Sequence, residues 1–343
     1  MVKYLITGAT GYIGSTLVRH LLQEENDVEI IAVVRDLDKA CKMFPAGVTF
    51  VLADVSDMAA LEVAINALEE ITPGTTSNVG TSQASETAPD TASRVCFDYV
   101  IHCAAVTKSA EMAMHPVEVG YGIIAGTENM LELAKRGRAK SVVFLSSMEV
   151  YGNMDCLEGQ LATEEDVAKG EVALLNVRSC YPLGKRMAEN LCFSYYKEYN
   201  LPVKIARLAQ TFGHGAPAGD SRVFSQFARA IKEKRDIVLH TDGSSMGNYC
   251  AIEDAVNGIL QILKCGENGE AYNVVNESCT MTIREMAELV CTEFSGGKSR
   301  VVFDIPEQNV HGYAANTKLR LSAQKLRKLG WRPTKGLKEM YAD

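Results

Sequence analysis

The sequence lacks long apolar runs and blocks of basic residues, and these two absences narrow the class of protein. The first apolar run begins at residue 4 and is too short for a signal peptide or a membrane span, so we expect a cytoplasmic protein with no membrane partner. Because 43 acidic residues outnumber 35 basic ones and no lysine and arginine block is present, we also expect no nucleic acid partner.

Closely spaced cysteines and histidines are also missing. The ten cysteines form no Cys-x-x-Cys pair, and the six histidines are not clustered. This pattern argues against both a disulfide framework and a zinc site, so we expect reduced thiols and no bound metal.

What the chain does contain is a series of apolar, β-branched segments that alternate with helical patterns. A chain of 343 residues is longer than one ordinary hydrophobic core supports. This length suits a large α/β domain together with a smaller second domain. Because the apolar segments show no alternation with polar residues, we expect strands covered on both faces, as in a parallel sheet flanked by helices. The predicted strands are Val28–Val34, Val48–Leu52, Phe97–Ala104, Ser141–Ser146 and Val203–Leu208.

The alternation breaks between Ile71 and Arg94. This stretch is rich in Thr, Ser, Gly and Pro and is too polar to bury a core. We therefore predict a surface insertion over residues 72–94, a flexible loop between the predicted helix Met58–Glu70 and the next strand.

A glycine-rich turn near the start of the chain predicts a phosphate site. The sequence Gly-Ala-Thr-Gly-Tyr-Ile-Gly at residues 8–14 follows an apolar segment and leads into a helical pattern. Side chains at Gly8 or Gly11 would hold the backbone away from a pyrophosphate, and one at Gly14 would hold the helix off the strand. The helix N-terminus offers N–H groups and a partial positive charge. The predicted dinucleotide phosphate site comprises Gly8, Thr10, Gly11, Tyr12, Ile13 and Gly14.

The residues after the second strand bear on the choice between NAD and NADP. Asp36 is suited to bind the adenosine ribose of NAD, whereas Arg35 is suited to pair with the extra phosphate of NADP. The sequence offers both, and we favour NADP slightly over NAD.

The next two strand ends also suit a dinucleotide, because ligands of open α/β sheets bind at the carboxyl edge. After the third strand, the carboxylate of Asp54, followed by Val55, lies where it can meet an adenine amino group. After the fourth strand, Cys103, Ala104 and Ala105 are small enough to let the cofactor pass, and we interpret Cys103 as space-filling rather than nucleophilic.

Three residues further along form a candidate proton-transfer set. Ser147 ends the fifth strand, and Tyr181 and Lys185 are four residues apart, so they share one helix face. Using a tyrosine as an acid or base near neutrality takes roughly 4 kcal/mol of phenolate stabilisation, which a nearby ammonium and a positive nicotinamide ring can supply. We expect Ser147 to hold the substrate oxygen, Tyr181 to exchange its proton, and Lys185 also to anchor the nicotinamide ribose.

With these residues in place, the chain resembles the extended short-chain dehydrogenase/reductase superfamily, the NAD-dependent epimerase/dehydratase group that includes nucleotide-sugar epimerases, dehydratases and decarboxylases. The likeness covers nearly the whole length. The motifs that carry it are the turn at 7–14, His-Cys-Ala-Ala at 102–105, Gly-Thr-Glu-Asn at 126–129, Ser-Ser-Met-Glu-Val-Tyr-Gly at 146–152, Tyr181 with Lys185, and Lys-Leu-Gly-Trp-Arg-Pro at 328–333.

The resemblance implies a Rossmann fold, that is, a doubly wound parallel sheet with a smaller C-terminal α/β substrate domain. We place the NAD(P)-binding domain at 1–210, with 237–265 returning to it, and the substrate domain at 211–236 and 266–343. Because dimers are common among the relatives, a homodimer is also expected.

Residues near Ser147 narrow the expected chemistry. The segment from Arg178 to Asn190 looks most like UDP-glucuronate decarboxylase and dTDP-glucose dehydratase relatives, and Glu149 matches a carboxylate that those enzymes use close to the sugar. Met148 stands where the dehydratases carry an aspartic acid, so epimerisation or decarboxylation is favoured over dehydration. A structural role for Glu149, as a partner for a neighbouring arginine, is the alternative.

The expected substrate-binding residues depart from the family pattern. Gly247 stands where relatives usually place an arginine that pairs with the substrate diphosphate. Either Arg222 and Arg207 carry that charge, or the substrate is not a nucleotide sugar. The candidates for binding substrate are Lys108, Gln210 and Arg222.

We therefore predict an NAD(P)-dependent enzyme that oxidises a nucleotide sugar to a 4-keto intermediate and returns the hydride, with Tyr181 as acid/base. The first alternative is an NADPH-dependent carbonyl reductase of the dihydroflavonol-reductase type. A second, from another class, is a cofactor-sensing regulatory protein without catalysis.

Overall fold

The computed structural model describes residues 1–68, 96–217, 219–306 and 316–342. The insertion predicted at 72–94 lies outside these residues. The strands are β1 (Val2–Thr7), β2 (Val28–Val34), β3 (Val48–Leu52), β4 (Tyr99–His102), β5 (Ser141–Ser147), β6 (Val203–Leu208), β7 (Gln210–Phe212), β8 (Ile237–Leu239), β9 (Met246–Gly247), β10 (Tyr249–Ala251), β11 (Ala271–Val274), β12 (Met281–Thr282) and β13 (Val301–Phe303).

Helices connect these strands, and several begin at a side-chain cap. Asp36 and Asp57 each accept a hydrogen bond from a backbone N–H three residues on, which satisfies a donor that the helix leaves unpaired. Of the helices in the described ranges, none is long and apolar enough to cross a membrane. The helices are α1 (Tyr12–Glu24), α2 (Leu37–Met43), α3 (Met58–Asn66), α4 (Ser109–Met114), α5 (Pro116–Arg136), α6 (Cys180–Tyr199), α7 (Val223–Lys232), α8 (Ile252–Cys265), α9 (Ile283–Phe294), α10 (Gln324–Lys328) and α11 (Leu337–Ala342).

Seven strands form one sheet in the order β11-β6-β5-β4-β1-β2-β3. Strands β5, β4, β1, β2 and β3 run parallel to one another. Tyr4, Leu5 and Ile6 in β1 are all fully buried, and because successive side chains point to opposite faces, both faces of the sheet are covered. The expected α/β fold with a doubly wound parallel sheet is confirmed. The strand order reverses between β1 and β4, which is where ligands of such sheets bind.

The predicted strands agree with the structure except at two places. The predicted strand Ser141–Ser146 extends by one residue, to Ser147. The predicted strand Phe97–Ala104 is shorter and spans Tyr99–His102. The chain leaves the sheet after His102 because the backbone N–H of Ala104 donates to Oγ1 of Thr7, at 3.1 Å, instead of to a neighbouring strand. The predicted helix from Met58 ends at Asn66.

The chain separates into two compact units. The first unit comprises Met1–Val150, Val172–Arg207 and Val256–Tyr272. The second unit comprises Tyr151–Glu171, Leu208–Ala255 and Asn273–Asp343. The expected domain boundaries differ from these units in residues 151–171, 208–210 and 237–255, which belong to the second unit, and in residues 266–272, which belong to the first. Residues 249–251 join the second unit because β10 pairs in parallel with β7.

The second unit has its own apolar core. Aromatic rings form its centre, with Phe212 stacked on Phe224 at 4.2 Å between ring centroids and Tyr249 edge-on to Phe212 at 5.9 Å. The segment 151–171 joins this unit through Tyr151, whose hydroxyl donates to Oδ1 of Asn273 at 2.9 Å.

Candidate active site

The turn between β1 and α1 leaves no room for side chains at its glycines. Gly8 has a φ of +66°, and a Cβ there would lie 2.8 Å from the backbone nitrogen of Ala104. A Cβ at Gly14 would overlap the carbonyl oxygen of Gly8. Gly11, the residue that caps α1, offers no side-chain hydrogen bond to the first turn of the helix. The result is a cradle of bare backbone at the strand-order reversal, with Thr10 in the turn and Tyr12 and Ile13 beginning α1.

The carboxylate of Asp36 and that of Asp54 have different surroundings at the ends of β2 and β3. Oδ1 of Asp36 accepts a hydrogen bond from the N–H of Lys39 at 2.9 Å, so it serves as the N-cap of α2. Asp54 lies 3.5 Å from Nη1 of Arg35 and accepts two hydrogen bonds from Ser56, at 2.9 and 2.7 Å. Burial raises the pKa of Asp54, but the hydrogen bonds from Ser56 and the charge of Arg35 outweigh it and hold the pKa below its usual value.

The side chain of Arg35 is an exposed cation at this edge. It is 69% exposed, and its contact with Asp54 is long for a hydrogen bond. Such a pair in solvent holds its partners weakly, so the guanidinium can turn to another anion. Val55, the next residue after Asp54, accepts a hydrogen bond from Nδ2 of Asn129 at 2.9 Å through its backbone carbonyl, which joins this loop to α5.

Small residues after β4 face the glycine cradle. Cys103 and Ala104 are the neighbours that a Cβ at Gly8 would meet, and Ala105 packs against the core of the first unit. Burial raises the pKa of the Cys103 thiol to about 12, although the charge of Lys185 opposes the shift. The thiol is therefore neutral at pH 7, and nucleophilic chemistry is not favoured there.

Tyr181 and Lys185 lie on the buried face of α6, with exposed fractions of 6% and 2%. Nζ of Lys185 donates a hydrogen bond to the carbonyl oxygen of Leu145 at 2.7 Å, and it lies 5.9 Å from the centroid of the Tyr181 ring. Desolvation lowers the pKa of Lys185 to about 8, so the side chain is still a cation at neutral pH. An ammonium held beside a tyrosine stabilises the phenolate and makes proton transfer by that tyrosine easier.

Ser147 and Glu149 follow at the end of β5. The strand ends at Ser147, and a 3₁₀ turn over Met148–Tyr151 continues the chain. The N–H of Glu149 donates to Oγ of Ser147 at 3.2 Å, which orients the hydroxyl. The Glu149 side chain is 44% exposed, but the surrounding protein still removes enough water to raise the pKa of its carboxyl. Arg178, whose Nη2 lies 3.7 Å from Oε2 of Glu149, lowers this pKa.

The structure also contains a buried network of charged side chains that the sequence analysis did not predict. Glu189, one turn after Lys185 on α6, accepts hydrogen bonds from Oγ of Ser146 at 2.5 Å and from Nη2 of Arg207 at 2.8 Å. The side chains of Arg207 and Glu189 are 6% and 10% exposed. Arg207 is therefore paired with Glu189 inside the first unit, which argues against the alternative that it carries the charge for a substrate diphosphate. The spacing of Tyr181, Lys185 and Glu189 at four-residue intervals was the signal for this network.

In the second unit, Arg222 is also held by a carboxylate. Its Nε lies 2.9 Å from Oδ2 of Asp220, and its guanidinium carbon lies 4.6 Å from the centroid of the Phe224 ring. Gln210 lies in β7, where its N–H donates to the carbonyl oxygen of Asn248 at 2.9 Å. Lys108, in the first unit, is exposed at the start of α4.

Gly247 is glycine for a packing reason. A Cβ at this position would overlap the hydroxyl oxygen and ring of Tyr249, which is fully buried. Tyr249 therefore fills the space that an arginine at Gly247 would need. Among the described residues, the Tyr249 hydroxyl has no hydrogen-bond partner.

These observations define the class of protein, which is an α/β protein with a glycine cradle suited to a dinucleotide and a Ser-Tyr-Lys set in the same unit. The family model of the NAD dependent epimerase/dehydratase family matches residues 4–276, and the chain belongs to this family. The expected membership in the extended short-chain dehydrogenase/reductase superfamily, as an enzyme of this type, is confirmed.

Individual proteins are similar to this chain in sequence or in fold. The chain is 27% identical over 293 residues to UDP-glucuronic acid decarboxylase 6 of Arabidopsis thaliana, covering 84% of this chain and 73% of the relative. UDP-glucose 4-epimerase of Thermotoga maritima, solved with UDP-glucose, superposes with a TM-score of 0.77 at 21% identity, covering 99% and 96% of the two chains. The dTDP-glucose 4,6-dehydratase of Streptomyces venezuelae, solved with NAD, superposes with a TM-score of 0.73 at 21% identity, covering 99% of this chain and 95% of that chain.

The residues present fit the family's NAD(P) cofactor. Bare backbone at Gly8, Gly11 and Gly14 allows close approach of a pyrophosphate, and the uncapped start of α1 supplies a partial positive charge. The described residues contain no cluster of three or more metal-ligating side chains.

Proposed function

We propose that this protein is an NAD(P)-dependent enzyme that modifies a nucleotide sugar through a 4-keto intermediate, by epimerisation or decarboxylation. The single observation that carries the proposal is the buried Lys185, held by the carbonyl of Leu145 beside Tyr181. A buried cation is costly, and here its place next to a tyrosine at the carboxyl edge of the sheet gives it a chemical use.

The cofactor would be held by the first unit. The pyrophosphate would meet the cradle of Gly8, Thr10, Gly11, Tyr12, Ile13 and Gly14, while Asp54 and Val55 would meet the adenine. Cys103, Ala104 and Ala105 would line its path, and Tyr181 and Lys185 would meet the nicotinamide ribose. When bound, the nicotinamide would accept a hydride from a ring carbon and later return it.

Tyr181 moves the proton of the substrate hydroxyl in this proposal. Its phenolate oxygen takes the proton while the carbon is oxidised and gives it back on reduction. The ammonium of Lys185 stabilises the phenolate, and Oγ of Ser147, oriented by the N–H of Glu149 at 3.2 Å, holds the same substrate oxygen. The raised pKa of Glu149 suits a carboxyl that holds or releases a proton at a neighbouring ring carbon.

For the cofactor we propose a slight preference for NADP over NAD. The exposed guanidinium of Arg35 supports it, because Asp36 is already used as a helix cap. For the substrate we propose contacts with Lys108, Gln210 and Arg222, of which Arg222 would have to loosen its bonds to Asp220. A cytoplasmic homodimer remains part of the proposal, and mass photometry of the purified protein tests its dimeric state.

The experiment that tests the function is incubation with a panel of nucleotide sugars, with products followed by mass spectrometry. Formation of an isomer with unchanged mass supports epimerisation, and loss of carbon dioxide supports decarboxylation. No product from any member of the panel contradicts the proposal. Cofactor content after gel filtration separates the alternative, because a nicotinamide retained by the protein favours this cycle and an empty site favours a reductase.

A further inference from the structure

The carboxylate of Glu189 is a buried anion that the proposed mechanism does not use. Its Oε1 accepts hydrogen bonds from Oγ of Ser146 at 2.5 Å and from Nε of Arg207 at 3.0 Å, and its Oε2 accepts from Nη2 of Arg207 at 2.8 Å. All three side chains are buried. A two-pronged pair of this kind has one preferred geometry, because the planar guanidinium matches the two carboxylate oxygens. Glu189 is therefore held in one position inside the first unit.

The hydrogen bond from Ser146 ties this carboxylate to the end of β5. Ser146 lies between two residues of the candidate site. The carbonyl oxygen of Leu145, before it, accepts from Nζ of Lys185 at 2.7 Å, and Ser147, after it, carries the hydroxyl proposed to hold the substrate oxygen. The pairing of β5 with β4 ends at Phe144, so these three residues extend past the last pair. The side chain of Ser146 therefore anchors the part of β5 that carries the site.

Glu189 also acts on Lys185 through its charge. The titratable side chains that face Lys185 lie on its own helix and at the end of β4, and they are Tyr181, Glu189, Cys192, His102 and Cys103. Burial lowers the pKa of His102 to about 3 and raises the pKa of both thiols, so these three groups are neutral at pH 7. Burial also lowers the pKa of Lys185 to about 8, and the negative charge of Glu189 opposes this shift.

Resting on the proposed function, we propose that Glu189 is a positioning residue for the proton-transfer step. Through Ser146 it holds the end of β5. The carbonyl there keeps Lys185 beside Tyr181, and the hydroxyl of Ser147 meets the same substrate oxygen. The charge of Glu189 keeps Lys185 protonated, so that the ammonium is present when the phenolate forms. Glu189 acts only through these neighbours.

The charge is tested by Glu189→Gln, which keeps the size of the side chain and an oxygen for Ser146. Lys185 should lose its proton at a lower pH than in the wild type, because a nearby negative charge is removed. NMR of protein with ¹³C-labelled lysine follows this titration, and the signal of Lys185 is identified by its absence from Lys185→Arg. Glu198→Gln, at an exposed glutamate of the same helix, is the matched control and should leave the titration unchanged.

The hydrogen bond is tested by Ser146→Ala, which keeps the pair of Glu189 with Arg207. With a sugar that the panel shows to be converted, kcat should fall about 10- to 100-fold because the end of β5 is misplaced, while KM changes little. Ser141→Ala is the matched control. It removes a buried hydroxyl at the other end of the same strand, where Oγ donates to the carbonyl of Leu263 at 2.7 Å, and it should leave kcat unchanged.

Two results overturn the inference: an unchanged titration of Lys185 in Glu189→Gln, or the same kcat in Ser146→Ala and Ser141→Ala. If Glu189→Gln does not fold, Ser146→Ala decides. If no sugar of the panel is converted, the proposed function fails, whereas the titration of Lys185 needs no substrate and still decides the role of Glu189. The two failures are therefore distinguishable.

Discussion

The two compact units differ in what they require of their residues. In the first unit, the requirements fall on the backbone: Gly8 adopts a positive φ and Gly14 has no space for a Cβ. In the second unit, they fall on side chains: Asp220 holds Arg222, and Tyr249 fills the space beside Gly247. Backbone requirements leave a fixed motif in the sequence, whereas side-chain requirements can be met in many ways. The cofactor-binding region is therefore easier to predict from the sequence than the substrate-binding region.

The largest effect should come from Tyr181→Phe. Without its hydroxyl, proton transfer is lost, and kcat should fall about 1000-fold, within the range measured for general acid-base catalysis. Cofactor affinity, followed by nicotinamide fluorescence, should change little. Tyr199→Phe, at the exposed end of the same helix, should leave kcat unchanged. A fall in kcat of less than tenfold for Tyr181→Phe would remove this residue from the mechanism.

Gly8→Ala tests the backbone requirement of the first unit. The substitution is strained at a φ of +66° and brings a Cβ 2.8 Å from the nitrogen of Ala104, so both cofactor affinity and stability should fall. We expect at least tenfold weaker binding and a loss of about 1–3 kcal/mol in the free energy of unfolding.

The control for this substitution is Gly122→Ala in α5. A Cβ there meets nothing within 4 Å, and alanine should stabilise the helix by up to about 1 kcal/mol with no change in cofactor affinity. If the two alanine variants behave alike, the cradle does not depend on bare backbone.

Arg35→Ala tests the proposed preference for NADP over NAD. The dissociation constant for NADP should rise about tenfold or more, because a charge-assisted hydrogen bond to phosphate is lost, while that for NAD should stay within about twofold. Equilibrium fluorescence titrations measure both. Lys42→Ala, an exposed lysine of α2, serves as the control. An equal change in the two constants would rule out Arg35 as a phosphate ligand.

Gly247→Arg should break the packing of the second unit while leaving substrate affinity no higher. The new side chain competes with Tyr249 for space, so the free energy of unfolding should fall by about 1–3 kcal/mol, without a gain in nucleotide-sugar affinity. Tyr249→Phe is the counterpart, since it removes a buried hydroxyl with no partner among the described residues and should not destabilise the protein. Denaturant titration measures both. A stable Gly247→Arg variant with tighter binding would contradict this account of Gly247.

Much of the fold was predictable because its signals are local. β2, β3 and β6 have their predicted bounds, since an uninterrupted apolar run is enough to mark a strand buried on both faces. The end of β4 was not predictable, because it depends on Thr7 accepting a hydrogen bond from Ala104, 97 residues away in the chain.

The residues of the candidate site also fall into those that the sequence predicts and those that it does not. Ser147, Tyr181 and Lys185 are recognisable by type and spacing, but the roles assigned to them and to the other site residues stay predictions. The commitment of Arg207 to Glu189 was hidden, because a charged residue in a strand does not reveal whether a partner or a ligand neutralises it.

The central claim, that the hydride taken from a sugar is returned in the same turnover, is tested by following the near-ultraviolet absorbance of reduced nicotinamide while a nucleotide sugar is converted. The account predicts many turnovers per protein molecule with no added reductant and no net change in this absorbance. Conversion only with stoichiometric oxidation of added NADPH would contradict it and would identify a reductase.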